Sequence, residues 1–275
     1  MPDITVREYP VQPGLGRHQA LDPRSLAYSR PYSGEPIRAT AWEPRIPVLD
    51  QQRLLEQGIR TSALFEGVED VDALGSCTGN AGTAALSVLL DRAQAAEAGL
   101  DTADARAAEE FAIGLYADAT TADQWKDATW PVQDCGSSGL GVAKALRRRG
   151  LIHQYGHATT AHELARDLQA GPVLMGLPWL NAFFEPGKSG FIDHDPGWAD
   201  SGTAGGHEVC IVALEDVALD EHGRLIPEHT VLRFRNSWGS DWGDSGDGRL
   251  YLTTYLALRP EVDLCQPRLE RATRT

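Results

Sequence analysis

The chain has 275 residues, 42% of them hydrophobic, with a net charge of −14 and an isoelectric point near 4.9. That is ample apolar material for one large domain or two fused lobes, and so acidic a surface argues against a nucleic-acid partner. No apolar run approaches the roughly 20 residues of a membrane span, and Met1–Glu8 is polar with no signal-peptide apolar region. The expectation is a protein with no membrane partner, kept inside the cell or packaged from there.

Residues 1–45 contain Pro10, Pro13, Pro23, Pro31, Pro36 and Pro44 and no helical periodicity, which predicts an extended, irregular segment. Gln52–Gly58 reads as a short helix ending at Gly58, and Glu66–Asp72 as an acidic loop. Leu74-Gly75-Ser76-Cys77-Thr78-Gly79-Asn80-Ala81 then opens an alanine-rich run with apolar residues at Ala81, Ala84, Ala85, Val88 and Leu89. That spacing predicts a buried helix with Cys77 as its first residue. A thiol there meets the positive end of the helix dipole, which favours the reactive thiolate; the alternative is a small buried hydrophobe.

Further helices are predicted from a Thr102/Asp104 cap to about Ala117, over Leu140–Arg149 after the turn Asp134–Gly139, and over Thr160–Leu168. Arg147-Arg148-Arg149 reads as a solvated helix end. From Gly171 the pattern changes to short apolar runs separated by Gly/Asp turns: Pro172–Leu177, Cys210–Leu214, Thr230–Phe234 and Arg249–Leu252. A helical part of about 74–170 and a β-rich part of about 171–258 follow from this, with 259–275 left as a tail.

His207 stands at the mouth of the strand-like run Gly205-Gly206-His207-Glu208-Val209-Cys210. Asn236 ends another, Leu232-Arg233-Phe234-Arg235-Asn236-Ser237-Trp238-Gly239. A thiol nucleophile needs a base, and the base needs a partner that fixes its tautomer; Cys77, His207 and Asn236 suit those three roles. The remaining histidines lack such a context. Cys135, Cys210 and Cys265 read as thiols in a reducing compartment. No Cys/His spacing matches a metal site, so neither metal nor cofactor is expected.

These stretches resemble the papain-like cysteine peptidases, in the branch common in bacteria and phages. That branch reads Asp-Gln-Gly-x-Leu-Gly-Ser-Cys-Thr-x-Asn-Ala at the nucleophile, Gly-Gly-His-Ala-Val at the base and Asn-Ser-Trp-Gly-x-x-Trp-Gly at the orienting residue. Here the corresponding stretches are Leu74–Ala81, Gly205–Val209 and Asn236–Gly243, and the likeness covers about Ile46–Leu256. His207 follows Cys77 by 130 residues and Asn236 by 159, close to the roughly 130–150 typical of the papain type.

The resemblance implies an α+β, two-lobe fold, a helical lobe facing an antiparallel sheet or barrel lobe with the active site in the cleft. It implies a cysteine endopeptidase with a Cys77–His207–Asn236 triad, Trp238 shielding the His–Asn contact, and a protein or peptide substrate. A catalytically degenerate structural or binding component, for example in a virion, and a cell-wall peptide amidase are the alternatives. Residues 1–45 become either an inhibitory prosegment or an ordered belt, and their lack of long charged helices favours the belt.

The family's oxyanion glutamine stands six residues before the cysteine, where this chain has Val71. Ile46-Pro47-Val48-Leu49-Asp50-Gln51 resembles the approach to that residue, so an insertion at 52–73 would split the motif and leave Gln51 as the oxyanion donor. Gln57, followed by glycine, is its rival, and Gln52 would need a register shift. Between Asp193 and Asp247 twelve acidic residues stand against three arginines, which predicts either an attraction for cationic peptides on the sheet side or merely a soluble acidic surface.

Overall fold

A computed structural model describes residues 15–57, 74–124 and 129–269. Small apolar residues dominate α2 (Cys77–Leu89), which is buried on every side from Cys77 to Val88, as a helix apolar all round must be. It packs against α4 (Ala105–Ala122) and α5 (Gly139–Arg148). Caps set the helix starts. Asp104 accepts from the Ala107 N–H and Ser138 from the Gly141 N–H. Thr160 and Glu163 form a reciprocal capping box at α6 (Ala161–Leu168). The helix predicted from Thr102 therefore begins only at Ala105, and it continues past Ala117 to Ala122. Short helices α1 (Gln51–Glu56), α3 (Arg92–Glu97) and α7 (Leu252–Leu258) complete the α set. Gly58 and the predicted acidic loop lie outside the described residues.

The strands are β1 (Thr40–Ala41), β2 (Gln154–His157), β3 (Val173–Leu180), β4 (Thr203–Asp216), β5 (Val231–Arg235), β6 (Asp247–Tyr251) and β7 (Asp263–Arg268). They form an antiparallel sheet in the order β2-β7-β3-β4-β5-β6, with β1 paired to the far end of β4. The α+β class is as expected. The sheet is open, not closed into a barrel. Residues 259–275, expected as a tail, instead supply β7, which lies inside the sheet with Cys265 opposite both His157 and Leu174. Its six residues are too few for a clear alternation, and Pro267 reads as a strand breaker.

Alternation along β3 and β4 divides the interior. Val173, Met175, Leu177 and Trp179 with Val209 and Ile211 face one core, which includes Phe183, Phe234 and Leu250. Leu174, Cys210, Val212 and Cys265 face the other, made with α2, α4 and α5. Both faces are covered, so these strands are apolar throughout. None of the four cysteines forms a disulfide.

Residues 15–45 follow the domain closely. Leu15–His18 run between the helices and the sheet, and Ser29 bridges to His157. After β1, the Trp42 N–H donates to the Val212 carbonyl and its indole Nε1 to the Leu168 carbonyl. No helix among the described residues is long and apolar enough to cross a membrane.

Candidate active site

Cys77 is the first residue of α2, His207 lies on β4, and Asn236 directly follows β5. His207 Nε2 is 2.8 Å from Asn236 Oδ1, and the Ser237 N–H donates to the same oxygen at 2.8 Å. Two donors on one oxygen fix the amide's orientation, so the neutral imidazole carries its hydrogen on Nε2 and its proton-accepting nitrogen is Nδ1. Trp238 stacks on the His207 ring at 4.7 Å and 25°, and Trp179 meets it edge-on at 4.7 Å. Both members of the His–Asn contact are buried.

The N-terminal segment ties this pair to the cysteine. The Gly16 N–H donates to Cys77 Sγ at 3.3 Å, and the next residue's N–H, on Arg17, donates to the Gly206 carbonyl at 3.1 Å. Consecutive residues thus touch the sulfur and the residue before His207. On the other side of the channel in which this segment runs, the Ser137 N–H donates to the Gly16 carbonyl and the His18 N–H to the Ser137 carbonyl. A Cβ on Gly16 would sit 1.6 Å from the Gly75 carbonyl oxygen, so only glycine passes here.

With the channel filled, Cys77 is only 2% exposed and burial pushes its thiol up to about 12. The backbone N–H groups of Gly16 and Glu208 work against this, while the charges on Glu208 and Asp134 add to it. The expectation of a readily ionised thiol therefore fails for the filled channel: desolvation outweighs the helix terminus.

Gln51 lies beside the Leu74–Ser76 turn although it stands 26 positions before Cys77. Its Oε1 accepts from the Leu74 N–H at 3.0 Å, and its Nε2 donates to Ser76 Oγ at 2.5 Å and to Glu109 Oε1 at 3.0 Å. Both amide hydrogens are thus engaged away from the sulfur. Ser76 Oγ–H donates to Asn80 Oδ1, and Asn80 Nδ2 donates to Glu109 Oε1, which closes a buried network beneath the start of α2. Burial pushes the Glu109 carboxyl up to about 7 against its bonds from Asn80 and Gln51. Gln52 is exposed on α1, and Gln57, also exposed, follows it.

Sequence reasoning missed two positioning groups. Asp134, read only as part of a turn, accepts from the Gly75 N–H at 2.8 Å and from the Tyr116 hydroxyl at 2.6 Å, anchoring the loop before Cys77. Glu208, which stands where the resembled pattern has alanine, is fully buried beside the channel. Some of the acids between Asp193 and Asp247 are engaged with arginines: Asp247 holds Arg233 and Arg235, and Glu215 holds Arg249. Among the described residues no three His, Cys, Asp or Glu side chains converge as a metal site.

No protein-family model matches the chain, and no curated protein matches it in sequence. Solved structures do. Xylellain, a cysteine protease from Xylella fastidiosa, superposes with a TM-score of 0.59 at 17% identity, over 97% of this chain and 100% of its own. Digestive procathepsin L 3 of Tenebrio molitor larval midgut gives 0.54 at 16% identity, over 93% of this chain and 76% of its own. The fold is that of the papain-like cysteine proteases.

Proposed function

We propose that the chain is a cysteine endopeptidase with a Cys77–His207–Asn236 triad. The observation that carries this reading is the His207–Asn236 pair, oriented by the Ser237 N–H and sealed by Trp238 and Trp179, beside a channel that reaches the Cys77 sulfur. His207 takes the thiol proton at Nδ1, and the sulfur attacks the peptide carbonyl carbon. The C–N bond breaks, the leaving amine takes the proton from His207, and water then hydrolyses the thioester. The Cys77 backbone N–H, at the first position of α2, has no intrahelical partner to lose and supplies one oxyanion donor. Gln51 supplies the second after exchanging its bond to Glu109 or Ser76 for the oxyanion.

Leu15–His18 block the channel in the state described, so this stretch acts as a plug, which assigns the N-terminal segment an inhibitory role as well as a belt-like course. The substrate is a protein or peptide, with no cofactor in any step. The second reading is a catalytically silent papain-like protein; the buried thiol and the engaged Gln51 amide favour it.

The test is a mass-spectrometric digest of a peptide library with wild type, Cys77→Ala and His207→Ala. The peptidase reading expects cleavage by wild type, none by Cys77→Ala and a loss of about 10³-fold or more in His207→Ala. Cleavage that persists in Cys77→Ala overturns it, and cleavage by none of the three, with Arg17→Ala added to loosen the plug, supports the silent protein.

A further inference from the structure

Glu109, on α4, is fully buried in the network beneath the start of α2. Its Oε1 accepts from Asn80 Nδ2 at 2.7 Å and from Gln51 Nε2 at 3.0 Å, whereas its Oε2 is buried with no hydrogen-bond partner. The Asn80 bond is fixed from behind: Ser76 Oγ–H donates to Asn80 Oδ1 at 2.8 Å, so that amide presents its nitrogen to Glu109. The Gln51 amide is anchored at its oxygen, which accepts from the Leu74 N–H, and it divides its two hydrogens between Ser76 Oγ and Glu109 Oε1. Ser76 stays neutral, so Glu109 alone can change the strength with which this amide is held. The charge that bears on Glu109 from α1's side is Asp50, which also favours the proton. The side chains presented by α2, Ser76 and Asn80, are neutral, and on α4 itself Arg106 and Glu110 pair with each other at 3.1 Å on the exposed face.

We propose that Glu109 is a positioning residue that controls Gln51: ionised, it holds the Gln51 amide away from the sulfur, and protonated, it lets the amide turn one hydrogen towards the oxyanion. The proposal rests on the peptidase reading above, with Gln51 as the second oxyanion donor. A buried carboxylate with only two donors, both on one oxygen, is poorly solvated, and losing one of the two leaves its charge with Asn80 alone. That loss costs the full desolvation of a charged acceptor, so the ionised carboxyl locks the amide in place. Hydrogen bonds to a neutral carboxyl are about half as strong as those to a carboxylate, and a neutral Glu109 gives up the Gln51 hydrogen while Asn80 still serves its Oε1. Burial pushes this carboxyl up to about 7, so both states are populated near neutral pH. The second oxyanion donor is therefore available on the acid side of about pH 7 and withdrawn on the alkaline side.

The test has two arms. In the first, the side-chain amide signals of the wild-type chain, labelled with nitrogen-15 glutamine, are followed by NMR from about pH 5 to 9, a range that brackets the Glu109 carboxyl. The Gln51 signal, identified by its loss in Gln51→Ala, should shift with a midpoint near 7 and should stay still in Glu109→Gln. In the second, kcat and KM for a fluorogenic peptide taken from the library digest are measured on the Gly16→Val chain, with and without Glu109→Gln. His207 and Cys77 titrate in both chains, so the ratio of the two isolates Glu109. The kcat values should agree within about twofold at pH 5.5, and the Glu109→Gln chain should be about tenfold or more faster at pH 9, with KM little changed. A purely structural role for Glu109 would move both ends of the profile together. A Gln51 signal that does not shift with pH overturns the proposal without recourse to any variant's activity. Hydrolysis with the same pH dependence in both chains overturns it too and keeps the peptidase. A shifting signal with no hydrolysis by either chain at any pH removes the peptidase reading and leaves the hold of Glu109 on Gln51 standing.

Discussion

At the residue scale, Gln51 separates what spacing could tell from what it could not. The Ile-Pro-Val-Leu-Asp-Gln run places this glutamine next to the Leu74–Ser76 turn across an intervening stretch, which closing a long loop opposes only weakly. What the sequence could not show is that Ser76 and Glu109 both accept from the same amide, since Glu109 sits on α4 with no motif around it. If Gln51 is the second oxyanion donor, Gln51→Ala should lower kcat on a cleaved peptide by about 10²–10³-fold, and Gln57→Ala should leave it near wild type. A Gln51→Ala protein as active as wild type contradicts the role. Cys77, His207 and Asn236 were legible as candidates because each sits in a local motif; Asp134 and Glu208 were not, because only tertiary neighbours give them meaning.

At the scale of elements, the helices were legible wherever a cap or a small-residue run marked them, as at Asp104, Ser138 and Thr160. β2 and β7 were not, since Gln-Tyr-Gly-His and Asp-Leu-Cys-Gln-Pro-Arg carry no clear period and owe their state to pairing with each other and with β3. The buried network of Gln51, Ser76, Asn80 and Glu109 joins α1, α2 and α4, and its carboxyl gives it a measurable signature. Burial, opposed by the Asn80 and Gln51 bonds, raises the folded pKa of Glu109 from 4.5 to about 7. The folded state therefore favours the protonated form. Its contribution is intact below about pH 4.5 and lost as pH rises to about 7. Glu109→Gln lacks a titrating group and keeps an acceptor oxygen. From pH 4.5 to pH 7 the variant should gain stability relative to wild type, on the order of 2–3 kcal/mol in urea unfolding. Parallel pH profiles for the two proteins would refute this.

At the scale of the whole molecule, an N-terminal segment runs through the channel between the helical layer and the sheet, and touches the parts the triad comes from. Its extended, proline-rich character was legible; its path was not, because Leu15-Gly16-Arg17-His18 carries no local signal for a groove 60 residues away in sequence. The central claim, a covered but competent Cys77–His207–Asn236 peptidase, is tested most directly by the hydrolysis rate of a fluorogenic peptide with the Gly16→Val protein. Gly16 contributes nothing to the chemistry, yet a side chain there collides with the Gly75 carbonyl. The account predicts a rate about tenfold or more above wild type, reflecting release of a competing intramolecular occupant, and no hydrolysis once Cys77→Ala is added. A folded Gly16→Val protein no faster than its Cys77→Ala derivative would contradict it.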